Sequence, residues 1–119
     1  MCSRRYDRGA AAVEFALIAP VLIALLLFFL IFGRAYQVQS SLAMAAREGA
    51  REMAITQLAG PAQVLAETAA TSLGASGATA TASPCGGTPT STTMTVEYDF
   101  DFLGVQLHLT GKGVMRCGG

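Results

Sequence analysis

FALIAPVLIALLLFFLIFG, residues 15–33, is a run of 19 uncharged positions, nearly all of them apolar. A helix rises 1.5 Å per residue, so this run spans about 28 Å, close to the hydrocarbon thickness of a bilayer. The rest of the composition agrees. Charged residues make up 13% of the 119 positions and hydrophobic ones 52%, with eight basic side chains against eight acidic. Soluble domains carry about 25% charge. Mean hydropathy is +0.47. These values argue against a disordered chain, a basic nucleic-acid binder and an ordinary cytosolic enzyme. They predict a membrane protein with one span.

The span reads as a retained anchor. A secretory signal has about 7 to 15 apolar residues before a small-x-small cleavage site. This run is longer, and Gly33-Arg34-Ala35-Tyr36 follows it. Arg4, Arg5 and Arg8 precede the span, while Arg34 alone follows it closely. The positive-inside rule therefore assigns the three leading arginines to topology, with the N-terminus cytoplasmic. The 86 residues from Arg34 onward form a long segment of the kind that translocates with little regard to charge. On this reading Cys85 and Cys117 lie in the exported part and are candidates for a disulfide, and Cys2 stays on the reducing side. Neither exported cysteine sits in a C-x-x-C arrangement, so no metal site is expected.

The expected fold class is an α+β membrane protein. One long N-terminal helix has a transmembrane half and an amphipathic exported half; a short second helix and a small antiparallel sheet of two to three strands follow. Residues 1–9 form a basic leader, 10–33 the span and 34–60 the exported helix extension. In that extension Ala35, Val38, Leu42, Ala45, Ala46, Gly49 and Met53 recur at three- and four-residue steps. Gly60-Pro61 is expected to end it. Residues 61–77 read as a short helix and linker, with Pro61 at the first helical position. Residues 78–119 read as the disulfide-linked β region. Residues 68–93 carry no charge and are rich in Gly, Ala, Ser and Thr, so loop or partial disorder is expected there, with one strand at Ala78–Ser83. Met94 to Phe102 alternates apolar with polar, and so does Val105 onward after a turn near Leu103-Gly104. Gly111 and Gly113, on the apolar side, mark either a bulge or a close approach of the long helix.

The informative constellation lies at the start of the span. Gly9 is followed by Ala10-Ala11-Ala12-Val13-Glu14-Phe15, which sets a carboxylate at the edge of the apolar run. Near a bilayer centre a charged side chain costs about 2.5–3.5 kcal/mol, and less toward the interface. One reading has Glu14 snorkelling to water. The other has it paired: cutting the Gly9–Ala10 bond would free an α-ammonium on Ala10, able to meet Glu14 of a neighbouring subunit.

Arg8-Gly9-Ala10-Ala11-Ala12-Val13-Glu14-Phe15-Ala16-Leu17, then Pro20 and the Leu/Phe-rich span, resembles the TadE-like pseudopilins of the tight-adherence (Flp) pilus machinery. Phe32-Gly33-Arg34-Ala35 and Ala45-Ala46-Arg47-Glu48-Gly49-Ala50-Arg51 are similar to the stretch after the span in that family. The resemblance implies cleavage after Gly9 by a membrane prepilin peptidase, with Ala10 as the new N-terminus. It also implies that Glu14 is the assembly carboxylate and Phe15 its apolar neighbour. Implied partners are the membrane, the peptidase, other pilin or pseudopilin subunits and the pilus assembly platform, with no nucleic acid. The location would be the bacterial cytoplasmic membrane, with possible incorporation into a surface pilus. Flp major pilins are very short, so the larger exported region here favours a minor subunit.

Pro20 removes one helical hydrogen bond and is a candidate kink. Glu97, Asp99 and Asp101 share a strand face; calcium ligands usually come from loops that wrap the ion, so this reads as a solvated face. His108, the only histidine, reads as a polar-face residue. No nucleophile motif, metal spacing or phosphate-cradling loop is present, so neither catalysis nor a cofactor is expected. The competing function is an unprocessed, single-pass, membrane-anchored binding module.

Overall fold

The computed structural model describes the backbone of residues 4–118 and the side chains of residues 9–118. Met1 and Cys2, and the side chains of the topology arginines Arg4, Arg5 and Arg8, lie outside the described residues. The elements are α1 (Arg4–Thr56), α2 (Ala59–Ser72), β1 (Thr79–Ala82), β2 (Ser91–Phe102) and β3 (Val105–Arg116). Contacts divide the chain into two compact units that meet at the Gly33–Arg34 bond. The first unit is apolar helix. Its described residues are exposed, apart from the half-buried Ala19 and Ile31. With its mean hydropathy of 3.1 over the best window, this segment fits a single-pass membrane anchor.

Two helix boundaries differ from the expected ones. The leader is not set apart from the helix: α1 begins at Arg4, so the Gly9–Ala10 bond lies within helical backbone. At the other end α1 stops at Thr56, four residues before Gly60. Gln57 takes a left-handed φ of 56° and closes the helix by donating its N–H to the Met53 carbonyl at 2.9 Å. Gly60-Pro61 instead falls in the first turn of α2, after the N-cap Leu58. Proline costs nothing there, because first-turn N–H groups have no helical acceptor to lose.

The second unit packs α1 from Arg34 onward, together with α2, against an antiparallel meander of order β1-β2-β3. The buried face of α1 carries every expected residue, Ala35, Val38, Leu42, Ala45, Ala46, Gly49 and Met53, and also Ala50 and Ala54. Buried Ala62, Ala66 and Ala70 recur every fourth residue on α2. On β2, Thr92, Met94, Val96 and Phe100 point inward. The core is therefore mostly alanine, with Leu42, Met94, Val38 and Val96 as its largest fully buried apolar side chains. Alanines bury little area each, so cohesion must come from close approach of backbones rather than from large side chains.

Glycines make that approach. A Cβ on Gly111 would lie 2.5 Å from the Leu42 carbonyl oxygen, and one on Gly113 would lie 2.5 Å from that of Ala46. A Cβ on Gly49 would lie 2.8 Å from the Ala66 Cβ, where the two helices touch. The β2–β3 register is uninterrupted from Phe102↔Val105 to Ser91↔Arg116, so the close-approach reading of Gly111 and Gly113 holds and there is no bulge. The same register sets each glycine opposite a large buried residue, Val96↔Gly111 and Met94↔Gly113. Side-chain volume on one strand thus compensates for its absence on the other.

The strands depart slightly from expectation. β1 is limited to Thr79–Ala82, and β2 starts at Ser91 rather than Met94. Threonine-rich residues 91–93 join because Thr92 is buried, its hydroxyl hydrogen-bonded to the Ser83 carbonyl. Residues 68–93 are ordered into the end of α2, the loop after it, β1, the β1–β2 connection and the start of β2. On the β1 edge the Ala80 N–H donates to Glu67 Oε1 at 3.1 Å. The disulfide Cys85–Cys117 ties the β1–β2 connection to the end of β3, with Cα atoms 6.1 Å apart.

Candidate assembly site on the N-terminal helix

Glu14 interrupts a helix that is otherwise almost entirely apolar between Ala10 and Gly33. The alanines at 10–12 are strong helix formers and leave little side-chain bulk around it. Ala10 and Glu14 are four residues apart in α1, which places them on one face, one turn apart. Both are exposed, as are Gly9 and Phe15. A Cβ added to Gly9 would meet nothing within 4 Å among the described residues, so no packing there requires a glycine. Helical structure continues through Pro20, whose ring deprives the Ala16 carbonyl of its usual donor. Among the described residues the face is thus sterically open, uncovered and marked by a single carboxylate.

The second unit offers another polar grouping. Glu97, Asp99 and Asp101 are exposed along β2, as the alternation predicts. Among the described residues no three His, Cys, Asp or Glu side chains converge as metal ligands do. His108 has a partner that the reading of its polar face did not foresee: its Nδ1 lies 2.7 Å from Asp99 Oδ1, directly across the strand pair. The pairing follows from the two-residue turn at Leu103-Gly104. Once Phe102 faces Val105, Asp99 must face His108. The hydrogen bond to Asp99 holds the imidazolium pKa above its usual 6.5; partial desolvation opposes this, and the charges of Asp99 and Glu97 add to it. A raised folded-state pKa contributes stability that is complete below pH 6.5 and fades as pH climbs through the folded value. An NMR titration of this one histidine should give a midpoint above 6.5, and D99N should return it toward 6.5.

No curated protein and no solved structure matches the chain. One family model does, beginning at Gly9 and ending at Arg51, so it takes in the open helix face, the apolar segment and most of the α1 surface that packs in the second unit. Residues 9–51 match the family described as TadE-like protein, and by that match the chain is similar to the TadE-like proteins of the tight-adherence system.

Proposed function

We propose that the protein is a minor pilin-like structural subunit, not a catalyst, of a tight-adherence pilus or secretion machinery. It is matured by cleavage after Gly9 and assembled through its N-terminal helix. The observation that carries this reading is the coincidence of three features at one place. The family match starts at Gly9, that glycine meets no packing neighbour among the described residues, and one helical turn past Ala10 stands the lone carboxylate of the apolar segment.

Cleavage would give Ala10 a free α-ammonium, a group with a pKa of about 7.7–8.0 and so largely charged at neutral pH. In a bundle of such helices the ammonium of one subunit neutralises Glu14 of the next. The pairing removes the cost of an isolated charge in the apolar layer and sets the axial register between helices. Phe15 supplies apolar contact beside it. Arg4, Arg5 and Arg8 hold the leader in the cytoplasm until it is removed. The Cys85–Cys117 disulfide supports an oxidising, exported location for the second unit.

N-terminal sequencing of the membrane form tests the reading. A chain beginning at Ala10 supports it, and one that keeps Met1 or Cys2 favours the unprocessed binding module. G9A is the sharper variant. Alanine fits the space at Gly9 and raises helix propensity by about 1 kcal/mol, so folding is preserved. Failure of maturation, read as an uncleaved mass, then reports on peptidase recognition alone. E14L should insert into the membrane as well as the natural chain while losing co-purification with partner subunits. Normal assembly of E14L would remove Glu14 from its role.

A further inference from the structure

The two ends of the β2–β3 hairpin, both within the second unit, differ in shape and in charge. At the turn Phe102, Leu103 and Val105 are all exposed. Leu103 is 68% exposed and has a φ of 54°, followed by Gly104 at 80°. Two consecutive left-handed residues make a turn that strongly prefers Asn-Gly or Asp-Gly. A leucine is therefore unfavourable for the turn geometry, and the core of the unit does not cover it. Just behind this apolar tip stand the exposed carboxylates of Asp99 and Asp101.

The open end of the hairpin carries a hollow. Arg51, Ala54 and Ile55 of α1 and Met115, Arg116 and Gly118 at the end of β3 line a cleft of about 520 Å³. That volume lies in the range of pockets that hold a drug-sized ligand, so a leucine and a neighbouring side chain fit within it. Its lining is apolar apart from the two guanidinium groups, and both arginines are exposed. Among the described residues the one ion pair is His108–Asp99, so neither Arg51 nor Arg116 meets a carboxylate there, not even those of Glu48 and Glu52 near Arg51 in sequence.

The twelve residues of β3 separate tip from cleft by about 40 Å of strand. A chain therefore cannot fill its own cleft with its own tip. The chemistry of the two ends nevertheless corresponds: an apolar knob backed by two carboxylates, and an apolar hollow flanked by two arginines. Guanidinium and carboxylate make charge-assisted, often bidentate hydrogen bonds. The His108 bond engages only Oδ1 of Asp99, which leaves Oδ2 to accept from a guanidinium.

We propose that the Phe102-Leu103 tip of one copy docks in the cleft between Arg51 and Arg116 of a second copy, with Asp99 and Asp101 facing the two arginines. The two patches are different surfaces, so the contact is heterologous: each pair keeps a free tip at one end and a free cleft at the other, and further copies can add. The contact uses residues of the second unit alone. It is independent of cleavage after Gly9 and of the role of Glu14.

Photo-cross-linking of the full chain in detergent, with micelles in excess over protein, tests the contact. Donor chains carry Leu103→p-benzoylphenylalanine and acceptor chains are isotope-labelled. E14L in every chain removes helix pairing through that carboxylate, so loss of the pilin-like assembly and loss of this contact are read separately. After irradiation, labelled peptides containing residues 51–55 or 115–118 should be joined to position 103. R51E/R116E in the acceptor should lower that yield roughly tenfold, because two attractions become repulsions. D99K/D101K in the donor should then restore it. An unfolded acceptor would not be rescued by a change of charge in the donor, so the rescue separates recognition from misfolding. Absence of cross-links between copies, cross-links only to other segments, a yield unmoved by R51E/R116E, or a loss that the reversed donor does not restore would each overturn the proposal.

Discussion

G111A and G113A will each destabilise the second unit by about 3 kcal/mol, the upper end of the cost of overpacking a closed interface. Taken alone, a Gly→Ala change in a strand restricts the unfolded chain and would stabilise by about 0.4–1 kcal/mol. Packing reverses the sign. The added carbon would lie 2.5 Å from the Leu42 oxygen and 2.7 Å from the Ala43 nitrogen, or for residue 113, 2.5 Å from the Ala46 oxygen and 2.6 Å from the Arg47 nitrogen. These are main-chain atoms of a hydrogen-bonded helix, so no rotamer change relieves the overlap. Either α1 lifts off β3 or the sheet bends, and both loosen the contact that buries Leu42, Met94 and Val96. Chemical denaturation of the full chain in detergent, followed by circular dichroism, provides the measurement. K112A, an exposed position between the two glycines, should shift the midpoint little. A G111A midpoint equal to that of K112A would show that the helix does not rest on the strand there.

Removing the Cys85–Cys117 disulfide by C117S or by reductant should cost roughly 3–4 kcal/mol in the chain-entropy treatment of a loop of this length. The bond closes a separation of 32 residues between the β1–β2 connection and the last residues of the sheet. That cost is large against the total of about 5–15 kcal/mol that holds an ordinary domain. It weighs more here, because the core is built mostly of alanine. Few other contacts hold this corner: the Cys117 N–H donates to the Thr90 carbonyl at 3.0 Å, and Gly86 and Ser91 form an isolated bridge. The thermal midpoint of the full chain in detergent should fall on adding reductant, and protease should then cut within residues 83–90. C117S should show the lowered midpoint without reductant and no further change with it. A midpoint indifferent to reductant would mean that α1 and α2 alone hold the sheet.

Much of this was legible before any coordinates. The span, the amphipathic face from Ala35 to Met53 and the alternation in β2 and β3 are periodic patterns, and each period reports which side of one element is apolar. The candidate assembly site was legible for the same reason. A glycine, an alanine-rich turn and one carboxylate at the mouth of an apolar run stand out in the sequence alone. The His108–Asp99 pair was recoverable in principle, since the position of a two-residue turn dictates every cross-strand partner.

The boundaries were less legible because they depend on competition between local signals and packing. Gly60-Pro61 is a strong stop signal, yet α1 ends earlier, at a left-handed Gln57, and the proline serves to start α2. Residues 68–93 carry no charge and little periodicity, and they acquire order through partners distant in sequence: Glu67 at the Ala80 N–H, Thr93 at Ser83, and Cys117 at Cys85.

The sequence by itself determined that an N-terminal helix is long and apolar enough to span a membrane, that the same helix continues as an amphipathic stretch, and that a small antiparallel sheet follows it. Composition and period suffice for these, because they are properties of one element in contact with solvent, lipid or an unspecified core. Only the tertiary structure decided what the glycines are for. Gly111 and Gly113 could have marked a bulge until the helix axis was set down on β3. Backbone-to-backbone distance is a relation between elements, and no periodicity within either one encodes it.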